Sequence, residues 1–263
     1  MFELIKDIEE KLNIEFENSK IQYFTDGATD STVFSINDKY LIKTVDKKAF
    51  KAQIEFFNKY KNKYFQILKY ANEELGYLCF EYIDGKKLEK LIKIDVNNII
   101  KQIYDITSLY RKYDYDGYGY LFEDVNKSWY QFLCDEVEYS KKEIQDIDDT
   151  KVLKALENIK SYNVDKYLIH GDFGTHNFLF SNNLKVIDPM CVVGDYLYDF
   201  YFAIFSNSLL FTKINIDDIL SFFDRKLEYK KSLLIIVFYI RMSRAHKYDM
   251  KNYKKYLEYY NKL

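Results

Sequence analysis

Two aspartates and an asparagine crowd into one short part of this chain. The segment reads Leu168-Ile169-His170-Gly171-Asp172-Phe173-Gly174-Thr175-His176-Asn177-Phe178-Leu179-Phe180 and leads on to Val186-Ile187-Asp188-Pro189. Apolar stretches at 177–180 and 185–187 flank Ser181-Asn182-Asn183, the pattern of two short strands around a tight turn. Such a hairpin returns the chain so that the loop carrying Asp172 and Asn177 lies beside Asp188. Two carboxylates and an amide oxygen are hard donors suited to Mg²⁺, and Mg²⁺ favours a phosphate substrate. Phosphoryl transfer asks for an in-line hydroxyl, a group to take its proton, and cations to neutralise the phosphates. An Asp-rich turn between two core strands would show the same letters without chemistry.

The elements that must position these residues are legible as changes of texture. Residues 1–16 have Leu4, Ile5, Ile8 and Leu12 at helical spacing. Strand patterns follow at 21–25, 32–36 and 40–45, the last two joined by Asn37-Asp38. Helical periodicity returns over 47–61, with Phe50, Ile54 and Phe57 on one face, and a hairpin over 65–82 turns near Glu73-Glu74. Asp84-Gly85 breaks the chain, and beyond it the pattern is helical apart from 167–193. The expected fold is α+β, with a small antiparallel-sheet lobe over 1–84 and a larger, mostly helical lobe over 85–263.

His170-Gly171-Asp172 with Asn177 five residues after the Asp, followed by Ile187-Asp188-Pro189, resembles the aminoglycoside phosphotransferase family. Gly194-Asp195-Tyr196-Leu197-Tyr198-Asp199 is similar to a further pattern of that family. The resemblance implies the bilobal protein-kinase-like fold, shared with choline and fructosamine kinases. It makes Asp172 the base or hydroxyl-orienting residue, Asn177 and Asp188 the Mg²⁺ ligands, and His170 and Asp199 supports of the loop. ATP or GTP would be the phosphoryl donor. The resemblance extends over nearly the whole chain, and residues 168–199 carry its specific part.

In the smaller lobe, Thr25-Asp26-Gly27-Ala28-Thr29-Asp30-Ser31 lies between two strands, where its backbone N–H groups could cover phosphates. It holds one glycine, and a plain hairpin turn would look identical. By resemblance, Thr29 lies near the phosphates and Lys43 contacts the α- and β-phosphates; a strand-end lysine on a solvated face is the bland reading. The lysine's usual carboxylate partner falls at Gln53, with Glu55 the nearest acid. Two residues apart on a helix is a rotation of roughly 200°, so a shifted register and an amide contact are both open. Leu78-Cys79-Phe80-Glu81-Tyr82-Ile83 resembles the hinge, which implies that backbone groups of Glu81 and Ile83 meet the nucleobase and that Phe80 gates the pocket behind it.

Composition narrows the partners. The chain has 263 residues, 48% hydrophobic and 30% charged, which excludes disorder. Lys plus Arg total 39 against 41 for Asp plus Glu, unlike the basic excess of a nucleic-acid binder. The apolar run 233–240 is too short to span a bilayer, and the charged, amphipathic first residues are unlike a secretory leader. Three isolated cysteines support neither a disulfide framework nor a zinc site. The expectation is a cytoplasmic enzyme with no nucleic-acid or membrane partner. His176 and His246 read as ordinary polar residues. Residues 123–149 hold nine acids and three bases, giving 3 − 9 = −6. That run is either a wall that attracts cationic amino sugars or a solvated helix face. Residues 225–263 hold eleven bases and three acids, a basic surface that reads as solvated helix, though nucleic acid or an anionic partner could use it.

Three functions fit. One is an O-phosphotransferase acting on an aminoglycoside-like cationic acceptor, and another a kinase of choline, a sugar or another metabolite alcohol. The third is a non-catalytic nucleotide-binding protein. Gly174 stands where protein kinases carry a catalytic-loop lysine, and no Ala-Pro-Glu follows Asp188, which disfavours a protein kinase.

Overall fold

The computed structural model describes residues 2–24, 31–88, 95–123 and 126–263. The chain forms two compact units, one of Met1–Lys86 with Leu179–Ile187 and the other of Lys87–Phe178 with Asp188–Leu263. The first unit thus takes in a hairpin that the sequence groups with the larger lobe.

The first unit is built on an antiparallel sheet ordered β1 (Ile21–Phe24), β2 (Val33–Ile36), β3 (Tyr40–Thr44), β5 (Tyr77–Glu81) and β4 (Leu68–Asn72). Asn37 and Asp38 both adopt positive φ between β2 and β3, the backbone that a two-residue hairpin with native twist requires. Leu4 and Ile8 of α1 (Phe2–Leu12) pack with Phe34, Ile36, Ile42, Tyr77 and Cys79 on one sheet face. Side chains alternate along a strand, so Lys43, opposite Leu78 on β5, turns to the other face.

That other face meets α2 (Lys47–Lys59), where Phe57 and Phe80 rings lie 4.8 Å apart. Asp46 caps α2, accepting hydrogen bonds from the N–H groups of Lys48 (2.9 Å) and Ala49 (3.0 Å). Helix α1 stops at Leu12, four residues before the periodicity suggests, because Asn13 takes a left-handed φ of 52°. The hairpin β9 (Phe178–Ser181) and β10 (Asn183–Val186) turns through Asn182 at φ 59°, with β6 (Lys86–Lys87) beside β9.

The second unit is mostly helical: α3 (Val96–Thr107), α4 (Trp129–Glu143), α5 (Thr150–Ile159), α6 (Tyr196–Phe205), α7 (Ser208–Phe211), α8 (Ile216–Ser221), α9 (Leu227–Tyr248) and α10 (Met250–Tyr260). Its small sheet places β11 (Val192–Gly194) between β7 (Gly119–Tyr120) and β8 (Tyr167–Ile169). Trp129, Phe132, Leu133 and Val137 form the buried face of α4, and Asp135 and Glu138 are exposed.

Helix α9 corrects a sequence expectation. It is not a solvated basic helix, because α4, α5, α6 and α10 all pack against it and bury it nearly all round. Two of its cations, Lys230 and Arg241, are turned to internal work, whereas Lys231 and Lys247 are exposed. Lys230 donates to the carbonyls of Leu220 (2.5 Å) and Phe223 (3.1 Å), and the Arg241 guanidinium lies 4.6 Å over the Phe202 ring. Among the described residues, no helix is long and apolar enough to cross a membrane.

Candidate active site

The loop between β8 and β9 is gripped from below by α6. Asp195 caps that helix, accepting from Leu197 N (3.0 Å) and from the Tyr229 hydroxyl (2.7 Å). One turn further on, Asp199 is fully buried and accepts from the Tyr110 hydroxyl (2.8 Å) and the N–H groups of His170 (2.8 Å) and Gly171 (3.1 Å). Ser206, at the far end of α6, accepts from Thr175 N (2.8 Å). The loop is therefore tied down on both sides of Asp172. Gly171 is required for close approach: at φ +83°, an added Cβ would lie 2.4 Å from Cγ2 of Val192.

Within that frame, Asp172 and Asn177 come together. The Asn177 amide nitrogen donates to the Asp172 carbonyl (2.9 Å) and to Asp172 Oδ2 (3.1 Å). His176 donates from Nε2 to the same Oδ2 at 3.0 Å. Both side-chain bonds fall on one carboxylate oxygen, Oδ2, and neither falls on Oδ1. The side chain of Asp172 remains 36% exposed. Burial opposes its ionisation, but the His176 bond and charge, with the charges of His170 and Arg241, prevail and hold the carboxyl well below the usual range.

Asp188 enters from the next strand in a left-handed conformation, φ 60°. Non-glycine residues rarely adopt it, and such backbone gathers at functional sites. The carbonyl of His170 accepts from the N–H groups of Met190 (2.8 Å) and Cys191 (3.0 Å), which ties the segment after Asp188 to the segment before Asp172. Among the described residues, no group of three or more His, Cys, Asp or Glu is arranged to hold a metal. Mg²⁺ does not need one, since it takes one or two protein ligands and completes its shell with water and substrate phosphates. The residues fit that pattern. With the Asn177 amide nitrogen committed to Asp172, its oxygen would be the atom to offer a metal, and Asp188 would offer one carboxylate.

In the first unit, Gln53 is buried on α2 with Phe50, Phe56 and Phe57, whereas Glu55 is exposed. Gln53 therefore faces the same side of the sheet as Lys43. Strand β5 places Phe80 in the core. Glu81 commits its N–H to the Ile67 carbonyl at 2.9 Å, and its carbonyl receives the Gln66 amide at 3.4 Å. That long bond occupies one lone pair and leaves the other. Ile83 is half-buried. Thr29 lies outside the described residues, as does most of the turn that carries it.

Two histidines depart from the sequence expectation. His176 sits on Asp172, and His246 Nδ1 lies 3.3 Å from Glu143 Oε1. The signal for His176 was its spacing of four from Asp172, which has no meaning until the loop's fold is known. The net −6 of the acidic run stands, but several of its carboxylates are engaged within the fold. Lys127 pairs with Asp135 at 2.7 Å, Lys141 pairs with Asp149, and Glu136 is buried, bonded to the Tyr120 hydroxyl at 2.8 Å with Arg244 at 3.8 Å.

The grip of Asp199 carries a pH signature. Burial pushes its carboxyl up to about 7, against the three donors that favour the anion. The unfolded value is near 3.8, so between about 4 and 7 the folded chain binds more protons, and stability falls as pH rises. Asp199→Asn is expected to flatten that slope and to cost about 1–3 kcal/mol by leaving a buried donor unmatched. Urea unfolding at several pH values checks both, and an unchanged slope would contradict the assignment.

Residues 20–216 match the profile of the phosphotransferase enzyme family, abbreviated APH. No curated protein matches the sequence. Solved structures do resemble it. The ADP-bound aminoglycoside phosphotransferase APH(2'')-Ib is 17% identical with a TM-score of 0.57, over 97% of this chain and 96% of that one. A choline kinase from Cryptosporidium parvum is 12% identical with a TM-score of 0.61, over 98% and 94%. The GDP complex of aminoglycoside 2'-phosphotransferase-IIIa is 11% identical with a TM-score of 0.59, over 99% and 97%. At these identities the likeness is one of fold.

Proposed function

The chain belongs to the phosphotransferase enzyme family, and from that premise we propose that it moves the γ-phosphoryl group of ATP or GTP to a hydroxyl of a small molecule. The bond between the β,γ-bridging oxygen and the γ-phosphorus breaks as the acceptor oxygen bonds to that phosphorus, and a nucleoside diphosphate leaves. The single observation that carries the reading is the arrangement at Asp172, where two donors hold Oδ2 and leave Oδ1 to orient the acceptor hydroxyl and take its proton. Asn177 Oδ1 and the Asp188 carboxylate would hold Mg²⁺, which when bound neutralises the phosphate charge. Lys43 would contact the α- and β-phosphates, with Thr29 near them. The Glu81 carbonyl and the Ile83 backbone would meet the base edge in front of Phe80.

For the acceptor we propose an aminoglycoside-like cation, supported by the exposed Asp135 and Glu138 and by the net −6 of residues 123–149. A metabolite alcohol is the second reading, favoured because Asp135 and Asp149 of that run are already paired with lysines and so are less available to a cation. Incubating the protein with labelled ATP or GTP and a panel of aminoglycosides, amino alcohols and sugars tests both. Label on an aminoglycoside is the expected result. Label on choline or a sugar alone would shift the assignment to the second reading. Nucleotide binding with no transfer to any acceptor would leave only a binding protein.

A further inference from the structure

A glycine and a histidine in the catalytic loop fit each other in a way that neither explains alone. A Cβ built on Gly174 would lie 2.4 Å from Cε1 and 2.6 Å from Nδ1 of His176, inside any tolerable contact. The imidazole of residue 176 therefore occupies the space that a side chain at 174 would need. Backbone freedom is not the reason for the glycine, since φ −89° and ψ 160° are extended values that alanine adopts. From this position the ring places Nε2 at 3.0 Å from Asp172 Oδ2, and the short 3-10 turn over Thr175–Asn177 aims it there. The ring is also open to solvent, with 44% of the side chain exposed, so it is not placed by core packing.

We propose that His176 is a positioning residue of the active site, whose imidazole lies in the cavity left by Gly174 and holds Oδ2 of Asp172 so that Oδ1 faces the acceptor. The inference rests on the reading of Asp172 as the group that receives the acceptor proton. Asn177, the next residue of the turn, also holds Oδ2, with its oxygen assigned to the metal. Without the imidazole, the carboxylate keeps a single side-chain tether and can rotate. Small errors in the placement of a reacting group are costly, about 10²-fold in rate for a displacement near 1 Å.

The fit supplies its own test. His176→Ala, His176→Gln, Gly174→Ala and the double variant Gly174→Ala/His176→Ala are compared with MgATP and MgGTP, water serving as acceptor. Diphosphate release, nucleotide KM and melting temperature are measured. His176→Ala is expected to lower kcat by about 10²-fold, with nucleotide KM and melting temperature unchanged. Gln, which returns a donor near the place of Nε2, restores most of the rate.

Gly174→Ala, which removes no functional group, is expected to match the loss in His176→Ala. The double variant falls no further, because the methyl then has no ring to displace. A Gly174→Ala protein as fast as wild type, or a double variant showing the product of the two losses, overturns the proposal. So does a crystal structure of Gly174→Ala with the imidazole still on Oδ2, a result independent of turnover. If Asp172→Asn keeps its activity, the reading of Asp172 fails. If Asp172→Asn is inactive while His176→Ala and Gly174→Ala are normal, the role of His176 alone fails.

Discussion

Asp172→Asn is expected to stop phosphoryl transfer while leaving nucleotide affinity unchanged. The two side chains differ by one polar atom, so packing in the loop is preserved. Two donors, His176 Nε2 and the Asn177 amide, already point at Oδ2. An asparagine satisfies them only by turning its own oxygen toward them, and its NH₂ then faces the acceptor. The acceptor hydroxyl meets a donor where it needs an acceptor, and its proton has nowhere to go. General-base and orienting roles of this kind are worth about 10²–10⁴-fold, and a drop in that range is the expected kcat. The nucleotide touches other residues in this reading, so its dissociation constant, followed by fluorescence titration, stays where it was. A variant that lost nucleotide binding as well would show that Asp172 serves the phosphates or the metal instead.

Asp188→Ala should be as damaging, for a different reason. In the proposed site this carboxylate is one of two protein ligands to Mg²⁺, and the metal's charge stabilisation of the transferring phosphoryl is worth several kcal/mol, or about 10³-fold in rate. The alanine variant also pays a backbone cost, because position 188 has φ 60° and a left-handed non-glycine residue costs about 1–2 kcal/mol. Asp188→Asn separates the two effects, since asparagine tolerates that conformation. Both variants are expected to lose metal-dependent turnover, with only the alanine variant melting earlier. Titrating Mg²⁺ into each and following diphosphate release makes the comparison. An asparagine variant that turned over normally at low Mg²⁺ would remove Asp188 from the metal site.

Much of the local structure was legible because it depends on short-range periodicity and turn chemistry. Leu4 and Ile8 recur at helical spacing, Asn37-Asp38 supplies two residues that accept positive φ, and Ser181-Asn182-Asn183 closes the β9–β10 hairpin. The candidate site residues could be picked out for a related reason. Asp172, Asn177 and Asp188 lie within one strand-turn-strand stretch, where a few residues of chain determine what can meet.

Other features depend on elements far apart in sequence. Whether Gln53 or Glu55 faces the sheet was decided by which side of α2 Phe80 and its neighbours cover. The basic letters of α9 could not announce that Lys230 and Arg241 are buried, because α6 and the chain around α8 supply what surrounds them. The grip of Asp199 on His170 and Gly171 spans nearly thirty residues, and only the fold brings that carboxylate to two backbone N–H groups.

The sequence alone therefore determined the class of chemistry, since the identities and spacing of the oxygen donors are written in one short segment. Tertiary structure decided how that segment is aimed. A hydrogen bond needs a partner within about 3 Å at a favourable angle, and letters carry neither quantity. Gly174 and His176 read as a small residue and a polar one until the folded loop sets the ring against the glycine and its nitrogen against Asp172.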